Sequence, residues 1–377
     1  MKKIVVLGAG LVGKAIAFDL CGEYDVTAVD IDEANVRKID EYHTLRGIHA
    51  DLSNPAKVKE VIADCDLVIG AVPGHMGFET LKTVIQFGKD IVDISFFSED
   101  PFELDELARL NQVTAVVDFG VAPGMSNVIL GNHNQHMSID SFECMVGGLP
   151  VVRTWPWEYK APFSPIDVIE EYTRPARIVQ HGEVVVKPAL TEPELIDFPE
   201  VGTLEAFNTD GLRSLLKTMT IPNMVEKTLR YPGHITLIRA LRDSGFFDQA
   251  PLKVNHTEIR PVDFTTRLLF PKWELKPDEE EFTLMRIIIT GHVNKKRQRI
   301  VYHLLDRYDE KSGISSMART TGYPCTAAAR LVIEGKFKQH GICPPEFVGA
   351  ADHCYKAIMK HLEERDIHYS VEQSTIG

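Results

Sequence analysis

The chain has 377 residues, 44% of them apolar and 25% charged, with a formal net charge of −13 at neutral pH. That length exceeds what one hydrophobic core usually supports and predicts two domains, and no stretch approaches the ~18 uncharged apolar residues that span a bilayer. The acidic balance disfavours non-specific binding to nucleic acid or to anionic membranes, which makes small molecules the expected partners. Cys21, Cys65, Cys144, Cys325, Cys343 and Cys354 form no CxxC pair and no metal-ligand spacing. This predicts reduced thiols, no bound metal and a cytoplasmic chain. The apolar run after Met1-Lys2-Lys3 ends at Gly8, too early for a secretory leader.

In chain order, short apolar runs predict strands at 3–7, 25–30, 47–50, 67–71, 90–93 and 114–118, with helical patterns at 12–21, 55–62, 78–87 and 101–110 between them. Strands separated by helices make βαβ units and a parallel sheet. After about Gly120 the pattern changes. A strand at 141–146 leads into Gly147-Gly148-Leu149-Pro150, and aromatic and proline-rich sequence follows over 155–165. A short strand at 252–254 and a charged segment at 272–281 precede a strand pair, 283–293 and 297–306, whose connection around Asn294 reads as a hairpin. A last helix is expected over 350–365. The fold class is therefore α/β: a Rossmann dinucleotide-binding domain over 1–122 and a second α+β domain, with a mostly antiparallel sheet, over 123–345. The second is expected to bind substrate and to carry the interface of a homodimer, and 346–377 is a segment able to return to the first.

The strongest chemical signal is Gly8-Ala9-Gly10-Leu11-Val12-Gly13, directly after one strand and opening a helix. Gly8 permits a tight turn, Gly10 lets a pyrophosphate approach the backbone, Gly13 permits close helix–strand packing, and the phosphates sit on the helix N-terminus. The second strand ends in Asp30, at the distance where an acidic residue accepts ribose hydroxyls and repels a 2′-phosphate; no arginine follows in Ile31-Asp32-Glu33. NAD is the expected cofactor. Asp51 is placed either to bond the adenine edge or to cap the helix near Pro55. The loop Ala71-Val72-Pro73-Gly74-His75 follows the fourth strand, at the edge where cofactors bind. His75 and Ser95 are each either cofactor contacts or structural groups.

In the second region, Tyr172-Thr173-Arg174-Pro175-Ala176-Arg177 sets two guanidinium groups beside a phenol. The pair is either a carboxylate clamp for an amino-acid substrate or a surface ion-pair network. Asp210 suits the N-cap of a helix through Lys217. In Arg230-Tyr231-Pro232-Gly233-His234 the histidine either shuttles a proton or caps a helix.

With these motifs, Ala122-Pro123-Gly124-Met125-Ser126-Asn127, Asp210-Gly211-Leu212 and Arg319-Thr320-Thr321-Gly322-Tyr323-Pro324, the chain resembles the saccharopine dehydrogenase superfamily, and within it the L-lysine 6-dehydrogenase branch. Saccharopine-forming reductases carry an aspartate where this chain has Ala122. The resemblance implies NAD-dependent oxidative deamination of the lysine ε-amine to the semialdehyde, which cyclises, with release of ammonia. It implies Arg174, Arg177 and Gly148 as substrate-binding residues, Tyr172 and Asp210 orienting the α-amine, and His234 or a water taking the proton. The competing readings are a saccharopine or carboxynorspermidine type of dehydrogenase, and a sensor that binds NAD(H) without turnover.

Overall fold

The apolar runs at the start of the chain lack alternation, as strands covered on both faces require. The computed structural model describes residues 1–42, 44–276 and 279–376; Pro277 and Asp278, within the charged segment expected at 272–281, lie outside the described residues. The first part of the chain forms β1 (Lys3–Leu7), α1 (Leu11–Leu20), β2 (Asp25–Asp30), α2 (Glu33–Asp40), β3 (Leu45–His49), α3 (Pro55–Ile62), β4 (Leu67–Gly70), α4 (Gly74–Gln86), β5 (Ile91–Asp93), α5 (Asp105–Leu110), β6 (Thr114–Val116) and α6 (Met125–His133). There follow β7 (Ser138–Pro150), α7 (Pro165–Thr173), β8 (Ala176–Gln180), β9 (Glu183–Lys187), β10 (Glu194–Phe198), β11 (Gly202–Asn208), α8 (Leu215–Thr218), β12 (Asn223–Arg230), α9 (His234–Asp243), β13 (Leu252–Val254), β14 (Thr257–Ile259), α10 (Pro261–Trp273), β15 (Glu281–Val293) and β16 (Lys296–Arg307). The chain closes with α11 (Ser316–Ile333), β17 (Gly341–Cys343), α12 (Pro345–Ala350), α13 (Asp352–Glu363) and β18 (Tyr369–Thr375).

Two compact units result, 1–137 with 317–368 and 138–316 with 369–377. In the first, the parallel sheet runs β17-β6-β5-β4-β1-β2-β3, so the strand order reverses direction at β1. That is the Rossmann order with a seventh strand, β17, added at its edge. The first unit continues through α6, against which two glycines hold α12. A Cβ on Gly131 would lie 2.2 Å from the Glu346 carbonyl oxygen, and one on Gly349 would lie 2.1 Å from that of Val128. Asn127 donates to the buried Glu346 carboxylate at 3.1 Å across the same crossing.

A buried ion network fastens the returning helices to α1. Asp19 of α1 receives Arg330 of α11 at 3.0 Å, the Thr326 hydroxyl at 2.5 Å and Arg365 after α13, with His361 at 3.5 Å. Burial works against the Asp19 charge, yet these partners together hold its carboxyl well below the usual range. A depressed carboxylate contributes stability that is full above its unfolded titration near ~3.9 and lost as pH falls below it. Asp19→Asn is expected to cost about 3–5 kcal/mol, the usual result of leaving a buried charge network short of one partner. Urea unfolding at neutral pH measures this, and an unchanged midpoint would remove the network from the account.

In the second unit the sheet runs β10-β11-β12-β7-β15-β16-β18, with the β8–β9 hairpin attached to β12. The pairing is antiparallel except between β12 and β7. The β15–β16 hairpin turns on Asn294 and Lys295, both at positive φ, as a two-residue turn matched to strand twist requires. Its core gathers Leu149, Tyr172, Phe207, Leu229, Tyr231 and Trp273 between one sheet face and α7, α9 and α10.

Candidate active site

The loop between β1 and α1 is built for a dinucleotide. Gly8 sits at φ +103°, and a Cβ there would lie 2.3 Å from the carbonyl oxygen of Ala71, in the loop that leaves β4. Gly13 closes the other side, since its Cβ would meet the Gly8 carbonyl oxygen at 2.0 Å. A Cβ on Gly10, by contrast, would meet nothing within 4 Å. Gly10 is the exposed N-cap of α1 and makes no side-chain cap, so the helix's first N–H groups face open space there. Leu11, half exposed, and Val12 complete the rim. Backbone donors at a helix N-terminus with room beside them fit a pyrophosphate.

Asp30, at the carboxyl end of β2, is held toward this loop. Its Oδ2 accepts the Ala9 N–H at 2.7 Å and the Asn35 amide at 3.4 Å, and its Oδ1 accepts the Asp32 N–H at 2.8 Å. Ala71, Val72 and Pro73 lie between β4 and α4, beside the glycine loop through the Gly8–Ala71 contact. His75 is exposed on the first turn of α4. Ser95 is buried and turned back on Asp93, which takes its N–H at 2.8 Å and its hydroxyl at 3.2 Å. Asp51 is exposed and bonded to Ser53, whose hydrogen bonds lower its pKa; the cap of α3 is Asn54 instead.

In the second unit the structure brings Tyr172 and His234 together in the core, and the roles of the atoms follow by elimination. Arg230 Nε donates to the Tyr172 oxygen at 3.0 Å, and because the Trp157 carbonyl opposite Nδ1 can only accept, the neutral His234 ring presents Nε2 as the acceptor of the phenol proton at 2.9 Å. His234 Nδ1 then carries the ring proton and donates to the Trp157 carbonyl at 2.8 Å. Arg230 also donates to Glu171 at 2.8 Å and stacks on Tyr159 at 4.4 Å. Burial, then the Arg230 charge, pushes the His234 imidazole down to about 3, and burial pushes the Tyr172 phenol up to about 12. Neither group is poised to exchange a proton near neutral pH, and the ring does not cap α9, whose N-cap is Gly233. Both ring nitrogens of His234 are hydrogen-bonded, and through Tyr172 the side chain joins α9 to α7.

Arg177 and Asp210 meet as a bidentate pair, Nε to Oδ1 at 2.8 Å and Nη2 to Oδ2 at 2.7 Å, with the Arg177 N–H adding a third bond at 3.1 Å. Asp210 therefore does not cap the expected helix, which is the single turn α8 with Ser214 at its N-cap. A forked guanidinium outcompetes backbone N–H groups for the carboxylate. The Arg177 side chain stays 43% exposed while Asp210 is covered. Arg174 is pinned along α7 to Glu170 at 3.3 Å. Gly148 lies buried in β7 opposite Thr283. Sequence reasoning missed Glu226, whose carboxylate occupies the face of Gly211: a Cβ there would fall 1.7 Å from Glu226 Oε1. The Asp210-Gly211 step was the available signal. Among the described residues, no group of three or more His, Cys, Asp or Glu side chains is placed to hold a metal, and no helix is long and apolar enough to cross a membrane.

Comparison with known proteins agrees with this geometry. Residues 4–116 match the saccharopine dehydrogenase NADP binding domain, and residues 120–367 match the saccharopine dehydrogenase C-terminal domain. A saccharopine dehydrogenase (NADP+, L-glutamate-forming) of Saccharomyces cerevisiae is 22% identical over 97% of both chains. The apo structure of that type of enzyme from the same yeast covers all of both chains with a TM-score of 0.79 at 19% identity. The homospermidine synthase of Legionella pneumophila in complex with NAD covers 99% of this chain and 91% of its own, with a TM-score of 0.68 at 15% identity. With a reversed strand order at β1, an open glycine cradle and both domain patterns in place, the chain belongs to the saccharopine dehydrogenase family of nicotinamide-dependent oxidoreductases.

Proposed function

We propose that the protein oxidises the ε-amine of L-lysine with NAD. The observation that supports NAD is the Asp30 carboxylate, which two backbone N–H groups hold beside the glycine loop. Its charge and acceptor oxygens suit two ribose hydroxyls and repel a 2′-phosphate. Held at the glycine loop and Asp30, NAD would supply the acceptor for a hydride from the lysine Cε. The resulting imine takes up water, releases ammonia and leaves the semialdehyde, which cyclises onto the α-amine.

Arg177, held by Asp210, keeps an exposed guanidinium edge for the α-carboxylate, with Arg174 beside it in sequence. Tyr172 and His234 act as positioning residues that fix α7, the helix from which Arg174 and Arg177 follow. Lysine must lose its ε-proton before hydride can leave, and the free amine titrates near ~10.4, so activity is expected to rise into the alkaline range. Ala122, where saccharopine-forming reductases carry aspartate, favours the primary amine. The full-length likeness to the yeast enzyme favours a second reading, oxidation of a secondary amine such as saccharopine. A homodimer that continues the second sheet through the edge strand β18 suits either reading.

Cofactor reduction followed at 340 nm with L-lysine alone, beside saccharopine, separates the two. Reduction with lysine and matching ammonia release is the expected result. Turnover of saccharopine alone would transfer the chain to the second reading, and silence with both would withdraw the two together.

A further inference from the structure

The loop that leaves β6 is braced from behind by a buried carboxylate. In the sheet order the Asp30 strand β2 lies on one side of β1, and β4, β5 and β6 lie on the other. Asp30 marks the adenosine side of a dinucleotide that crosses the sheet at β1, so the nicotinamide half extends over the carboxyl ends of β4 to β6. Neighbouring strands are ~4.8 Å apart, which puts β6, three strands away, roughly 14 Å from β1. The segment 117–124, between β6 and α6, is therefore the far wall of that half.

This wall is a loop closed on its own backbone. The Phe119 N–H donates to the Asp93 carbonyl of β5 at 3.1 Å, the Gly120 N–H to the Pro123 carbonyl at 3.2 Å, and the Met125 N–H to the Gly120 carbonyl at 3.0 Å. Gly124, at φ +140°, closes it so tightly that a Cβ would lie 1.9 Å from the Gly120 carbonyl oxygen. Ala122 and Pro123 are half-buried, whereas their neighbours from Val117 to Ser126 are buried, so these two form the edge a ligand can reach.

Behind the loop three hydrogen bonds run in series. The Ser126 N–H donates to the Val121 carbonyl at 3.3 Å, the Ser126 hydroxyl to Asn127 Oδ1 at 3.0 Å, and Asn127 Nδ2 to Glu346 Oε2 at 3.1 Å. Ser126, Asn127 and Glu346 are each 1% exposed or less. Burying a carboxylate is costly, and packing alone would be better served by an apolar side chain in the same place. The Gly131 and Gly349 contacts already fasten α12 to α6, which leaves the Glu346 charge for a second task. It fixes the Asn127 amide with its nitrogen toward α12 and its oxygen toward Ser126, so the first turn of α6 has one arrangement. We propose that Glu346 is a positioning residue for the cofactor: through Asn127 and Ser126 it holds the 119–124 loop in the shape that receives the nicotinamide. The proposal rests on the dinucleotide site and is independent of which amine is oxidised.

The test compares NADH with ADP-ribose, which keeps both riboses, the adenine and the pyrophosphate and lacks the nicotinamide. Affinities are read by fluorescence for NADH and by calorimetry for ADP-ribose. Glu346→Ala is expected to weaken NADH about tenfold, as loss of a charge-assisted contact implies, and to leave ADP-ribose unchanged. Glu346→Gln combined with Asn127→Asp keeps a donor and an acceptor at the crossing and is expected to restore NADH. Ser126→Ala cuts the next link without touching the crossing and gives the same comparison should Glu346→Ala fail to fold. Equal weakening of both ligands would reduce Glu346 to a fold residue and overturn the proposal. So would an unaltered NADH affinity in Glu346→Ala and Ser126→Ala, or no recovery in the exchanged pair. Binding of neither ligand to the unaltered protein would withdraw the dinucleotide site itself, and this role for Glu346 with it.

Discussion

Gly10→Ala is expected to leave the melting temperature unchanged and to weaken dinucleotide binding by about tenfold or more, whereas Gly8→Ala is expected to unfold the loop itself. The two glycines differ in what surrounds them. The Gly10 Cβ would stand in open space, so the apo protein has no reason to register it, but that space is where the backbone must approach a pyrophosphate. At Gly8 the methyl would meet the Ala71 carbonyl oxygen at 2.3 Å and its carbon at 2.8 Å, with φ at +103°, so β1 and β4 must part at the loops that face the cofactor. Backbone strain of this kind costs about 1–3 kcal/mol before any clash is counted. Thermal unfolding with and without NAD separates the cases. Equal loss of stability in both variants would mean the loop is only a tight turn.

The fold of this region was legible because every signal pointed the same way. Unbroken Val, Ile and Leu runs, helices between them and Asp30 at the end of β2 admit little besides a parallel sheet. What escaped was short or polar. Helix α2 buries only Val36 and Ile39, and β17 is three residues joined to the sheet by pairing with β6, a contact far away in sequence. In the second unit, β8 and β9 are two short Ile- and Val-bearing runs, ARIVQ and EVVVK, without polar–apolar alternation, joined at His181-Gly182, both at positive φ. The pairing of Arg177 with Asp210, and of Tyr172 with His234, joins residues 33 and 62 positions apart, which spacing in a single sequence does not reveal.

The second large effect is expected at His234. His234→Ala leaves the Tyr172 hydroxyl without its acceptor and the Trp157 carbonyl without its donor, and opens a void among Tyr159, Tyr172 and Trp273. Two unsatisfied buried groups and a cavity together cost about 3–5 kcal/mol. The histidine also sets an acid limit on stability. Folded, its ring stays neutral down to about 3, while the unfolded ring titrates in its ordinary range near 6.5. Protons therefore favour the unfolded chain below that range: stability is full above about 6.5 and declines as pH falls from there toward 3. His234→Gln removes this decline, and urea midpoints measured from pH 7 to 4 would show it as a flatter profile. The same variant bears on mechanism. A positioning residue predicts that folded His234→Gln keeps the alkaline rise of kcat/KM, whereas loss of that rise would restore the histidine as proton carrier.

The central claim is that the glycine loop and Asp30 form a site for NAD. Titration of the protein with NADH and with NADPH, followed by the change in nicotinamide fluorescence, tests it without reference to any substrate. The account predicts saturable binding of NADH, NADPH weaker by about tenfold or more, and a gain for NADPH when Asp30→Ser removes the charge that repels the 2′-phosphate. NADPH binding as tightly as NADH to the unaltered protein, or no binding of either, would contradict it.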